Sequence, residues 1–209
     1  MTVKTRHVFL RLGLYSLFLG ALMLVLVVDA NAVDGKFFEG SLTERTQEVM
    51  FLLLSISMFY CSRRMKPVLN LAAMFSGFFL VCFIRELDAL LEQNIGTGTW
   101  QLLVTLVLAA MIFKAYKNWP ALQGEFATNV STYNFGLFAA GFLTTFIFSR
   151  LVGSEELWMA IMEESYQRNV KNAVEESVEL LGDALMFFAG FEFFLRYRGG
   201  SSQAGAIDS

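Results

Sequence analysis

Six apolar stretches fill most of this chain, and the charges between them are sorted by sign. Few folds are open to such a sequence. A membrane-crossing helix needs about 20 mostly apolar residues. The stretches lie at about 12–28, 43–62, 68–92, 100–114, 133–149 and 170–197. With 56% hydrophobic and only 17% charged residues, a soluble domain of 209 residues could not hide its apolar surface. The expectation is an all-α polytopic membrane protein. Residues 1–198 would form a bundle of six transmembrane helices with a short interfacial helix, and the Gly/Ser-rich tail 199–209 would be disordered.

The cations set the orientation, because Lys and Arg gather on the cytoplasmic side. With an inner N-terminus, the inner segments hold Lys4, Arg6, Arg11, Arg63, Arg64, Lys66, Lys114, Lys117, Arg196 and Arg198, 10 of the 16 Lys/Arg residues. Nearly all the acids then lie outside. Both termini are expected in the cytoplasm. Trp100, Trp119, Trp158, Tyr60 and Tyr197 sit near the expected interfaces, as an aromatic belt requires.

Local signals mark the ends of the spans. Lys4, Arg6 and Arg11 precede span 1 and Ala30-Asn31-Ala32 follows it, so a cleaved signal peptide competes with a retained span. The apolar run exceeds the usual h-region of about 7–15 residues, which weighs towards the span. Ser41-Leu42-Thr43-Glu44 has the pattern of a capping box opening span 2. Pro67 opens span 3, which is expected to continue as a polar helix, Arg85–Glu92, to Gly96 and Gly98. Asn118–Glu125, with Pro120, reads as a loop, and Ser154-Glu155-Glu156-Leu157 begins an amphipathic interfacial stretch to about Tyr166. Cys61 and Cys82 fall at different depths, read as small core residues, and are not expected to pair.

One constellation stands out. Arg85, Glu86, Asp88 and Glu92 fall at the outer end of span 3, and Glu175, Glu176, Glu179 and Asp183 in the outer half of span 6. Glu44, Gln47 and Glu48 fall at the outer start of span 2. A helix turns about 100° per residue, so Glu175, Glu179 and Asp183, spaced i, i+4, i+8, form one stripe bordered by Glu176. Gly182 and Gly190 share that side and would admit another helix closely. Arg85, Asp88 and Glu92 likewise share one face, and the polar faces of spans 3 and 6 are expected to meet. A central Asp costs roughly 2.5–3.5 kcal/mol on the insertion scale, so such residues come with a partner or a task. Simple solvated helix ends suit Glu44, Glu48 and Glu92 best, and two further readings apply to the acids as a group. Arg85, Arg150, Arg168 and Lys171 could neutralise the acids and pin the helices. Alternatively, the acids form an outward-facing site for a proton, a hard cation or a cationic substrate, with Asp183 and Glu179 at its core. A carboxylate site of this kind suits Ca²⁺ or Mg²⁺ if it holds a metal; no other cofactor is evident.

Other chemistries are disfavoured. His7, the one histidine, falls before span 1 on the inner side, about 30 Å from the acids. It can complete neither a His/carboxylate metal site nor a Ser-His-Asp triad there. There is no P-loop, GxGxxG, HExxH or CxxC pattern. No basic patch interleaved with aromatics points to nucleic acid. Glu192 would pair with Arg196 and snorkel inward.

Phe83-Ile84-Arg85-Glu86-Leu87-Asp88 and the run from Val170 through Lys171-Asn172 and Glu175-Glu176-Ser177-Val178-Glu179 to Gly182 resemble small uncharacterised multi-pass inner-membrane proteins of proteobacteria. That resemblance implies a bacterial inner membrane and supplies no activity. The expected role is non-enzymatic: an ion- or solute-responsive protein or a small transporter, with the lipid bilayer as its one evident partner. The alternatives are a membrane-embedded enzyme using carboxylates with a divalent cation, and a structural partner subunit.

Overall fold

A computed structural model of the chain describes residues 3–32 and 40–198; the tail 199–209 lies outside the described residues. What is described is all-α, with no strand among the described residues. In chain order the helices are α1 (Val3–Ala30), α2 (Leu42–Arg64), α3 (Leu69–Glu86), α4 (Asp88–Asn94) and α5 (Thr99–Lys117). There follow α6 (Trp119–Asn129), α7 (Tyr133–Leu143), α8 (Ser149–Val152), α9 (Glu155–Met162) and α10 (Arg168–Arg198). A 3₁₀ turn at Lys66–Val68 carries Pro67 into α3, and a π-helical turn at Thr144–Phe148 joins α7 to α8.

Among the described residues, four segments are long and apolar enough to cross a membrane: Val8–Ala30, Lys66–Glu86, Thr99–Lys117 and Tyr133–Val152. The other two expected spans, α2 with 23 residues and α10 with 31, have the length. Their N-terminal portions carry Glu44, Arg45, Gln47 and Glu48, and Arg168 through Asp183, which dilute their apolar character. Large apolar side chains stand fully outward on α1 and α5, among them Leu17, Leu24, Ile112 and Phe113. A surface of that kind belongs in hydrocarbon rather than water.

Three boundaries differ from the sequence reading. Span 3 does not continue unbroken to Glu92: the backbone leaves helical geometry at Leu87 (φ −90°, ψ 8°), and α4 starts afresh with Asp88 in its first turn, where a carboxylate suits the positive helix end. Asn118–Glu125 is not a loop. Pro120 opens α6, a position that needs no N–H, and the helix runs to Asn129. Span 5 is interrupted by the π turn. Gly96 and Gly98 do end α4, with φ of 144° and 89°, values that suit a residue without a side chain.

The chain divides into two compact units. The first comprises Met1–Thr46 and Ala140–Leu185. Its buried side chains are largely polar: Asp29, Thr43, Thr145, Ser149, Glu179 and Asp183, beside Leu22, Leu180 and Ala184. Here α1 and α2 are tied by a carboxylate. Asp29 accepts from the Leu42 backbone N–H at 3.0 Å, the Thr43 N–H at 2.7 Å and the Thr43 hydroxyl at 2.5 Å. The Ser41 hydroxyl accepts from the Glu44 N–H at 3.2 Å, and the Glu44 carboxylate reaches back to the Gly40 N–H. The capping box therefore forms with its return bond one residue upstream of the usual position.

The second unit comprises Gln47–Ala139 and Met186–Ser209. It holds an apolar core of Phe51, Met58, Val68, Phe79, Met186 and Phe193, with aromatic edge contacts from Phe75 to Phe138 and Phe193. Ser55 and Ser76 each donate to the other's carbonyl, at 3.1 and 3.0 Å, clasping α2 to α3. A Cβ at Gly190 would collide with Leu54, so α10 lies close against α2 there. Cys61 and Cys82 are buried free thiols. Glu192 does not snorkel; only 7% of it is exposed, in a half of α10 where Phe188, Ala189 and Phe193 are buried too. Glu125 of α6 accepts from the Leu71 N–H at 2.6 Å and the Asn70 amide at 2.8 Å, capping the start of α3.

The Asp29 contact yields a prediction. Asp29→Ala removes the acceptor from two backbone donors and should destabilise the protein by about 1–2 kcal/mol, with Asp29→Asn milder. Thermal melting of the full chain in detergent checks this; an unchanged midpoint would show that the α2 start does not depend on Asp29.

Candidate functional site

The acid stripe of α10 lies in the first unit and faces the α7–π–α8 segment. What lets the helices meet is Gly182. A Cβ there would stand 2.7 Å from the Thr145 backbone N and 2.9 Å from the Gly141 O, so only hydrogen fits. At this approach the Thr145 hydroxyl reaches across and donates to Asp183 Oδ1 at 2.8 Å. The Thr145 hydroxyl oxygen is also 3.3 Å from the Glu179 carbonyl, a second acceptor. Asp183 is 1% exposed. Ser149 donates to the Thr145 carbonyl at 2.5 Å, a bond that helps the π turn hold its shape.

The π turn also places the cation. In an uninterrupted α-helix, Arg150 would lie about 180° around the axis from Gly141, pointing away from α10. The extra residue absorbed by a π turn takes back about 100°, leaving roughly 80° between them. Arg150 can then reach α10 and does: Nη1 is 2.9 Å from Glu175 Oε1 and Nη2 is 2.9 Å from Glu179 Oε1. Lys171 completes the set one turn up α10, 2.8 Å from Glu175 Oε2. Gly153 stands directly against the Glu175 carboxylate, and a side chain there would displace it. The arrangement is graded by depth. Glu175 holds two cations, Glu179 shares one of them, and Asp183 meets a neutral hydroxyl.

The remaining residues singled out from the sequence divide between the units. Glu176 borders the stripe and is half-buried. Glu44 is occupied at the start of α2. Arg85, Glu86 and Asp88 belong to the second unit, as does Gln47, which is buried. Arg85 is exposed and lies 3.9 Å from Glu86, while Asp88 accepts from the Ala89 N–H at the start of α4. Glu92 accepts from the Trp100 indole at 3.1 Å, bracing α4 on α5.

Sequence reasoning passed over Thr145, Ser149 and Gly153. The signal available was spacing: Gly141, Thr145 and Ser149 recur every four residues on an apolar helix, a small and polar stripe of the kind that lets helices touch.

Among the described residues, no three His, Cys, Asp or Glu side chains are grouped so as to hold a metal ion. Glu175, Glu179 and Asp183 have the hard oxygen donors that Ca²⁺ or Mg²⁺ takes, but the two glutamates already hold Arg150 and Lys171. No protein family, curated protein or solved structure matches the chain.

The pairing is asymmetric, and this can be measured. The Arg150 side chain is 52% exposed, whereas those of Glu175 and Glu179 are 15% and 11% exposed. Glu179→Gln leaves Arg150 half-solvated and still paired with Glu175, so it should cost under about 1 kcal/mol. Arg150→Met takes the cation from a buried carboxylate and should cost about 2 kcal/mol or more. Equal losses in melting experiments would contradict this geometry.

Proposed function

We propose that this chain is a multi-pass protein of a bacterial inner membrane, crossing it six times with both termini in the cytoplasm. Within that class it is an ion-responsive protein or small transporter rather than an enzyme, and the ion it responds to is the proton. The observation that carries the reading is Asp183: a carboxylate 1% exposed within a helix, bonded to the Thr145 hydroxyl of a π turn.

The chemistry is a two-position hydroxyl. When Asp183 is ionised it can only accept, and Thr145 donates to it. When Asp183 is protonated it can donate to Thr145 Oγ1, and the Thr145 proton turns to the Glu179 carbonyl at 3.3 Å. A proton at Asp183 thus changes the bonding of the π turn without opening it. Glu179 lies one turn away, and Arg150 and Lys171 are the cations nearest along the stripe. Their presence supports a proton over Ca²⁺ or Mg²⁺, because a divalent ion would have to displace them. Arg150 bridging two glutamates supports a second reading, a static network that pins α10 in a structural subunit.

Melting of the detergent-solubilised full chain from acid to alkaline pH, with and without Ca²⁺ or Mg²⁺, separates these readings. The wild-type midpoint should move with pH and stay indifferent to divalent ions. Asp183→Asn keeps an oxygen for Thr145, so it should fold and lose much of the pH dependence. A wild-type midpoint independent of pH would leave the static network, and a shift with divalent ions would favour the metal site. Orientation is checked by reporter fusions. Gly96 and Ser154 should read outside, and Lys66, Gln123 and Ser201 inside; an outside C-terminus would invert the placement of the acids.

A further inference from the structure

In the second unit, α3, α5, α6 and the start of α7 enclose an open groove of about 760 Å³. Ligand pockets span about 300–1,000 Å³. Its wall is apolar, formed by Leu71, Met74, Phe78, Met111, Leu122 and Phe126. The only polar lining groups are the indole of Trp119 and the amide of Gln123, both in the first turns of α6. Leu71 at the start of α3 and Trp119 just beyond the end of α5 share this groove, so the two helices run antiparallel and the polar groups gather at one end.

That end is cationic. Along α5, Met111, Lys114, Ala115 and Asn118 are half-buried, while Ile112, Phe113, Tyr116 and Lys117 are exposed. Lys114 therefore lies on the groove side, one turn beyond Met111, and makes no ion pair among the described residues. Lys117 follows in the same turn. The neighbouring acid, Glu125, is committed to the start of α3. α6 begins without a side-chain cap: Asn118 spends its amide on the Lys114 carbonyl, and the N–H groups of the first turn, at Trp119 and Ala121 because Pro120 has none, receive no side-chain cap. An ammonium, an indole and an uncapped helix start thus meet at the mouth of an apolar groove. Each favours an anion with oxygen acceptors.

The geometry points to a binding site for an anionic phospholipid, with one acyl chain in the groove and its phosphate at Lys114 and the first turn of α6. The occupant follows from the surroundings. α3 and α5 are long and apolar enough to cross a membrane, so the groove opens to acyl chains rather than to water. A zwitterionic lipid has the same phosphate but brings its own cation, which Lys114 repels. The inference rests on the membrane placement proposed above and is independent of Asp183.

Native mass spectrometry of the full chain in a neutral detergent, titrated with phosphatidylglycerol or phosphatidylcholine of matched chains, tests it. Wild type should bind phosphatidylglycerol at least about fivefold more tightly. Lys114→Gln should lose about that factor for phosphatidylglycerol and none for phosphatidylcholine. Leu122→Trp, which fills the groove, should weaken both, with melting as the control for folding. Should Leu122→Trp not fold, Lys114→Gln decides alone. Equal binding of the two lipids by wild type, or unchanged binding by Lys114→Gln, overturns the proposal whatever the pH melts of Asp183→Asn show.

Discussion

A helix end exposes backbone N–H groups, and where packing buries that end there is no water to bond them. Much of this structure can be read as the settlement of that requirement. Asp29, from the end of α1, serves the start of α2. Glu125, from α6, serves the start of α3. Both acids come from outside the helix they cap, so the same contacts that satisfy the backbone also fix which helices are neighbours. The start of α6 receives no side chain of this kind, and it is there that an anion from the membrane fits.

The acid stripe of α10 follows the same economy of partners. An isolated carboxylate in a span is expensive, and the expense falls when donors are already in place. Gly182 lets the opposing backbone come close enough for a hydroxyl to reach Asp183, and the π turn swings Arg150 onto the two glutamates above it. Neither device is a charge, and neither is conspicuous beside the acids it serves.

Period and composition are local, and they made the helices, the Ser41–Glu44 start and the stripe of Glu175, Glu179 and Asp183 legible in the sequence. Long-range contacts left no such trace. Asp29 precedes Leu42 by 13 residues, and Glu125 follows Leu71 by 54, with no pattern joining either pair. Pro120 was ambiguous because the same fixed φ that breaks a helix interior suits a helix start. Leu87 ends α3 without a Gly or Pro to announce it. The π turn hides for a related reason: Thr144 to Phe148 contains ordinary span residues, and the extra residue shows only in how the flanking side chains are phased.

That phasing ties the geometry of the segment to its chain length in a way substitutions would not reveal. Removing one residue between Thr144 and Phe148 would let the segment close into regular α-helix, with better backbone geometry than before. The chain beyond would keep its phase relative to α7, because the residue lost is the one the π turn absorbs, so Arg150 would stay about 80° around the axis from Gly141 and still face Glu175 and Glu179. Closing the turn with every residue retained would instead swing Arg150 away from both, although no residue had changed. The chemistry of the α10 network is encoded as much by a count of residues as by their identities.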